Sequence, residues 1–142
     1  MTSLHYLLMR SHSLLNRRIL EEAAELGLSP GQPKVLEYLR LHGTQNQRSI
    51  ADYCRIEPAT VGSILTRMEE AGLVERRQKP GDRRALYVSL TAAGESAAEA
   101  VAHLFDRADR QASSLLTQAE TEHLTALLEK VCAALPEEVI QG

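Results

Sequence analysis

Between Asn46 and Leu90 the hydrophobic period of the chain switches once, from helical to alternating, and this switch limits the folds available to it. Ile50, Ala51, Tyr53 and Cys54 mark a short helix that Asn46 can cap. A turn at Ile56-Glu57 follows. Pro58 then opens a second helix whose apolar positions Val61, Ile64, Leu65 and Met68 form one stripe. Gly72 suits a left-handed residue just past that helix. Val74 to Gln78 reads as a strand, Lys79-Pro80-Gly81-Asp82 as a turn, and Ala85 to Leu90 as an alternating strand with Leu86, Val88 and Leu90 on one face.

Helical patterns flank this unit. Leu4, Leu7, Leu8, Leu14, Leu15 and Ile19 predict a helix running to about Leu26 and closed by Gly27. Ser29-Pro30 reads as the cap and first residue of a second helix carrying Val35, Leu36, Leu39 and Leu41 to Gly43. Pro33 lacks a backbone donor, so its first turn is expected to be irregular. Thr91 can cap a long helix with a stripe of Val101, Leu104, Phe105, Ala108, Ala112 and Leu115. Thr117-Gln118-Ala119-Glu120 is a capping box. The helix it opens carries Leu124, Leu127, Leu128, Val131 and Leu135 on its expected buried side, and Pro136 ends it. The fold class is therefore mainly α with a small β-hairpin wing: a winged helix-turn-helix with helical arms.

Composition agrees. The 142 residues are 44% hydrophobic and 25% charged, the balance of one ordinary globular domain. With no Trp and one Phe the core must be aliphatic. No apolar run approaches the ~18 residues of a membrane span, and Arg10 interrupts the apolar N-terminal stretch early, so neither a membrane anchor nor a signal peptide is expected and the reading is cytoplasmic. Cys54 and Cys132 form no Cys-x-x-Cys pair; each reads as a free thiol acting as a small buried hydrophobe. His5, His12, His42, His103 and His123 are scattered. His5 and His12 lie two helical turns apart, too far to share an ion, so no metal site is expected. No nucleophile elbow, phosphate-binding glycine loop or metal motif is present, and neither an enzyme nor a cofactor is expected.

Charge is uneven. The net charge is −3, yet residues 30–91 carry +3 and the remainder −6. Arg76, Arg77, Lys79, Arg83 and Arg84 stand against Asp82 alone, a net +4 in nine residues at the hairpin. Directly upstream, the face of the Pro58 helix opposite its apolar stripe presents Ala59, Thr60, Gly62, Ser63, Thr66 and Arg67. Small residues let a helix sit deep in a major groove, and hydroxyls and a guanidinium meet phosphates and base edges. Arginines at a narrow hairpin tip suit a minor groove, whose negative potential deepens as it narrows. The combination points to duplex DNA.

Residues 29–94 resemble the MarR family of bacterial transcription regulators. The resemblance rests on "RSIADYCRIEPATVGSILTRMEEAGLVERR" and "KPGDRRALYVSLTAAG", on the wing pattern Asp82-Arg83-Arg84, and on the junction Leu90-Thr91-x-x-Gly94; the flanking helices extend it over nearly the whole chain. It implies a homodimeric regulator, with residues 1–28 and 92–142 as the helical dimerisation region and 29–91 as the DNA-binding lobe. Repression is favoured over activation. Two recognition helices would read half-sites of a pseudo-palindrome about one helical turn apart, ~34–36 Å. By the same resemblance Arg84 enters the minor groove, Asp82 orients it, and Arg83 meets phosphate or groove. Thr60, Ser63, Thr66 and Arg67 are the major-groove readers. Arg48 and Arg55 are phosphate contacts, and Arg55, Arg76 and Arg77 stand equally well as solvated surface charge.

The family also implies a small lipophilic or phenolic effector. Tyr6, Met9, His12, Leu36, Tyr38 and Leu39 are the candidate lining, though each reads more readily as ordinary core or interface. The chain's poverty in aromatics, with Pro33 where many relatives carry a large residue, argues against a conventional aromatic ligand. The alternative function is a winged-helix module for protein contacts, without sequence-specific DNA binding. Its association would be insensitive to salt, whereas DNA affinity falls steeply with it.

Overall fold

In a computed structural model the chain forms, in order, α1 (Leu4–Glu25), α2 (Gln32–His42), β1 (Gln45–Asn46), α3 (Gln47–Cys54), α4 (Pro58–Glu70), β2 (Val74–Lys79), β3 (Asp82–Leu90), α5 (Ala92–Ala112) and α6 (Gln118–Ala134). The structure describes residues 1–137, the side chain of Arg83 excepted. The last five residues of the expected 92–142 arm therefore lie outside the described residues. The chain divides into two compact units, 1–108 and 109–142.

In the first unit, side chains from α1 to α5 close one aliphatic core. Leu36, Ile50, Leu65, Met68, Val88, Val101 and Leu104 are fully buried in it. The helical ones follow the stripes expected of α2 to α5, because burying one face of each helix removes the most apolar surface from water; the expected α5 stripe fails at its end, where Ala112 and Leu115 are exposed and Leu115 lies beyond the helix. The sheet is antiparallel with order β1-β3-β2. The β2–β3 pairing runs from Val74 opposite Leu90 to Gln78 opposite Leu86, then slips between Gln78 and Lys79 before a turn at Pro80-Gly81. On β3, Val88 is buried and Leu90 half-buried, whereas Leu86, expected on the same inward face, is exposed at the outer part of the hairpin.

The helix ends follow local chemistry. Asn46 Oδ1 accepts from the Ser49 backbone N–H at 2.8 Å and caps α3. The capping box of α6 is complete: Thr117 Oγ1 accepts from Glu120 N, and Glu120 Oε1 accepts from Thr117 N. Gly72 follows α4 at φ 77°, where its N–H and that of Leu73 take up the Glu69 and Met68 carbonyls.

Two further expectations are corrected, and one element was not expected. Helix α2 begins at Gln32 rather than at Ser29-Pro30, so Pro33 occupies the first turn, where a missing donor costs nothing. The two-residue strand β1 pairs Gln45 with Val88 and Asn46 with Tyr87, a strand too short to leave a periodic signal. Helix α6 buries none of its residues within the single chain, and Leu124, Leu127, Leu128 and Leu135 are exposed.

Candidate nucleic-acid interface

Helices α3 and α4 are joined by a tight turn. Arg55 takes a left-handed conformation (φ 56°, ψ 44°), and the Ile56 N–H reaches back to the Ala51 carbonyl at 3.1 Å. Pro58 then supplies the first residue of α4 without a donor to satisfy. Val61, Leu65 and Met68 bury one side of α4, which turns Thr60, Ser63, Thr66 and Arg67 outward. The four expected groove readers thus share an exposed face. An added Cβ at Gly62, on the same helix, would meet nothing within 4 Å.

Two hydroxyl protons on this face are already engaged. Thr66 Oγ1 donates to the Gly62 carbonyl at 2.9 Å, and Ser63 Oγ approaches the Ala59 carbonyl at 3.5 Å. Bonds of this kind to the preceding turn are usual for helical Ser and Thr. They leave the Ser63 oxygen as an acceptor toward an outside partner, whereas that of Thr66 also accepts from Arg76 at 3.0 Å.

On the hairpin, Asp82 Oδ1 accepts from the backbone N–H of Arg84 at 3.1 Å, so the acid orients the Arg84 main chain at the wing. The Arg84 side chain is exposed. Arg83 belongs to β3 and its side chain lies outside the described residues. Lys79 Nζ stands 5.3 Å from the Tyr87 ring centroid, and Arg77 pairs with Glu75 at 3.2 Å on the exposed surface. Arg84 and Arg48, the latter near the start of α3, line one cleft of about 390 Å³ with Asn46, Gln47, Ala85 and Leu86. Arg55 is exposed at the turn before α4.

Arg76 behaves differently from the other wing cations. Its side chain is only 17% exposed. One guanidinium nitrogen, Nη1, donates to Gln47 Oε1 at 3.3 Å. The other, Nη2, donates to Thr66 Oγ1 at 3.0 Å and Glu69 Oε1 at 3.2 Å. Its backbone N–H reaches Glu69 Oε2 at 3.3 Å. The bond from Arg76 holds the Glu69 carboxyl below its ordinary value. Sequence reasoning grouped Arg76 with solvated charge. The signal available was its position at the base of the wing, opposite the buried Val88.

The residues expected to line an effector site differ in burial. Tyr6, Met9 and His12 are exposed on α1, while Leu36, Tyr38 and Leu39 are buried. The Tyr38 ring stacks on Tyr53 at 4.4 Å. The cavity beside Leu39, about 450 Å³, is lined also by Arg40, Glu95 and Glu99. An anion there would meet one guanidinium, of Arg40, and two carboxylates. Cys54 is 4% exposed, as its apolar position implied. Cys132 is exposed, because α6 has no buried side in the single chain. Among the described residues no group of His, Cys, Asp and Glu is placed to hold a metal ion, and no helix is long and apolar enough to cross a membrane.

The family model of MarR matches residues 28–86. The transcriptional repressor MdtR of Bacillus subtilis is 31% identical over 113 residues, 78% of this chain and 73% of that protein. The homoprotocatechuate degradative operon repressor of Escherichia coli is 39% identical over 80 residues, 56% of this chain; the match spans about half of that repressor, 53%. Among solved structures, a cysteine-to-serine variant of MarR from E. coli in complex with operator DNA superposes with a TM-score of 0.82 at 26% identity, covering 94% of each chain. The helix-turn-helix, the hairpin wing and these likenesses agree: the chain belongs to the MarR family.

Proposed function

We propose that this chain is a transcription regulator that binds duplex DNA as a homodimer and represses from a pseudo-palindromic operator. One observation carries the reading. The exposed, small and hydroxyl-bearing face of α4 stands beside a hairpin whose Arg84 side chain is free of the core. This is the pairing of a major-groove helix with a minor-groove arginine. The likeness to MarR bound to its operator supports the same use of the fold.

Residues 29–91 would form the DNA-reading lobe, and 1–28 with 92–142 the dimerising arms. In support, Leu4 and Leu135 are 66% and 63% exposed, and Leu124, Leu127 and Leu128 repeat along α6 at helical spacing. A partner burying such stripes would gain roughly 25 cal/mol per Å² of apolar surface. Arg48, Thr60, Ser63, Thr66, Arg67, Arg83 and Arg84 are the proposed DNA contacts, with Asp82 fixing the Arg84 backbone. The setting would be the cytoplasm.

Release by a small phenolic or lipophilic effector is part of the proposal. One relative represses an operon for degrading homoprotocatechuate, a phenolic acid. Tyr6, Met9 and His12 on α1 would then meet the effector near Leu36, Tyr38 and Leu39 only once the dimer is assembled. The proposal is of a regulator, with no enzymatic step assigned to any residue.

The test is selection of bound sequences from a random duplex pool by the purified protein. Recovery of a pseudo-palindrome with half-sites about one helical turn apart supports the reading. Recovery of no motif, with weak binding that falls with salt, leaves only nonspecific association. Association indifferent to salt favours a protein partner.

A further inference from the structure

We infer that Arg76 is a positioning residue for DNA reading, one that locks the recognition helix to the wing and to the start of α3. The inference rests on the DNA-binding reading above. The guanidinium bridges three elements at once: Gln47 at the first turn of α3, Thr66 and Glu69 on α4, and its own strand β2. At 17% side-chain exposure it is far less solvated than its neighbour Arg77, at 79%. Three of the five guanidinium N–H donors of Arg76 are taken up by the protein, both of those on Nη2 among them.

The bridge acts on the reading surface directly. Thr66 gives its proton to the Gly62 carbonyl and takes one from Arg76, so its hydroxyl is held in one orientation. Glu69 is gripped at both oxygens, one by the guanidinium and one by the Arg76 backbone N–H. The last turns of α4 and the base of the wing therefore move as one body. A helix and a wing that must enter adjacent grooves together need that fixed angle, because a small misplacement at one spoils the register of the other. Lysine cannot replace the arginine here. Its single ammonium is a point charge, whereas three acceptors in different directions need the planar fork.

The test compares wild type with Arg76→Ala, Arg76→Lys and Glu69→Gln. Each is titrated by fluorescence anisotropy with a duplex selected by the wild-type protein and with a scrambled duplex of the same composition, over a range of salt. Thermal unfolding monitors the fold. Both Arg76 variants should lose at least about tenfold in affinity for the selected duplex and no more than about threefold for the scrambled one. The slope of log affinity against log salt should stay unchanged, since no phosphate contact is lost. Glu69→Gln, an isosteric change at a side chain 43% exposed, should lower the same ratio and decides the matter if the Arg76 variants unfold. A uniform loss on both duplexes with a slope reduced by about one would make Arg76 a phosphate contact instead and overturn the proposal. So would full rescue by lysine, or an unchanged ratio in Glu69→Gln. A wild-type protein that discriminates between no duplexes overturns the DNA reading itself, and this role with it.

Discussion

Gly94 lies against the carbonyl oxygen of Leu73, so closely that any Cβ at position 94 would overlap it. Thr91 completes the joint. Its hydroxyl donates to the Gly72 carbonyl at 2.6 Å and accepts from the Gly94 N–H at 3.0 Å, while its own N–H reaches the Leu73 carbonyl at 3.1 Å. The end of α4, the start of β2 and the start of α5 are thus fastened at one point, which gives the Leu90-Thr91-x-x-Gly94 pattern a physical cause. Gly94→Ala forces backbone to move at a site where every group is already bonded. It should cost about 2–3 kcal/mol, the upper range for overpacking a close contact. Urea unfolding with an unchanged m-value would show it as a lower midpoint; a loss under about 0.5 kcal/mol would mean the joint yields easily.

Gly62 poses the opposite case. It sits inside α4, where glycine is less stable than alanine by about 0.5–1 kcal/mol. Nothing within 4 Å opposes a Cβ there, so the protein itself gives no reason for the glycine. Close approach of a groove, under the proposed DNA reading, would. Gly62→Ala should therefore raise stability by up to about 1 kcal/mol and weaken binding to a selected duplex, by about tenfold. Thermal unfolding and anisotropy on the same sample separate the two effects. A variant that gains stability and keeps full DNA affinity would remove this face of α4 from the groove.

How far the sequence could be read depended on where the signal was local. The helices, the hairpin turn, the Asn46 cap and the Thr117 capping box were legible because each rests on a few adjacent side chains. The start of α2 was not, since Ser29-Pro30 and Gln32-Pro33 offer competing helix starts and Gly31, at φ 89°, decides between them. Strand β1 has two residues and no periodicity. The exposed face of α4 followed from its apolar stripe. The bridge at Arg76 did not, because Gln47, Thr66 and Glu69 come together only through tertiary packing. The buried side expected for α6 failed for a related reason: an apolar stripe states that a helix is to be covered, without stating by which chain.

Arg84 is exposed at the wing, and Asp82 fixes its backbone through the 3.1 Å bond to the Arg84 N–H. Arg84→Ala should weaken operator binding by about 1–3 kcal/mol and relax the preference at the base pairs flanking each half-site. Asp82→Ala should act in the same direction and more weakly, since it frees the backbone but leaves the guanidinium. Anisotropy titration of both variants on a selected duplex checks this. Unchanged affinity in Arg84→Ala would take the wing out of the interface.

Glu69 carries a pH dependence of defined sign. Its carboxyl is held below the ordinary 4.5, first by the side-chain hydrogen bond from Arg76 and then by that residue's charge and backbone N–H. A folded value below the unfolded one means that the Arg76 tie is fully present at neutral pH and is lost only as pH falls through the lowered value. Carbon-13 NMR of the side-chain carboxyl should give a Glu69 midpoint below 4.5, and Arg76→Ala should move it upward. A midpoint that ignores the substitution would show that the two groups do not pair in solution.

Cys54 tests the interior chemistry of the lobe. Burial pushes its thiol up from 9.0 to about 11, outweighing a nearby Lys34 that acts the other way. At pH 8 only about one molecule in a thousand then carries the thiolate, the reactive form. Cys54 should resist Ellman's reagent in the native protein and react once the chain unfolds, at the rate of opening. The raised value also sets a sign at high pH. The folded state holds its proton longer than the unfolded state, so this group's contribution is intact below about pH 9 and is lost as pH rises toward 11. Replacing the thiol with alanine should flatten the alkaline limb of the stability curve while opening a small cavity that lowers stability at every pH. Rapid native labelling of Cys54 would place it in a mobile, solvent-reached site and make α3 a poor anchor for the helix that follows it.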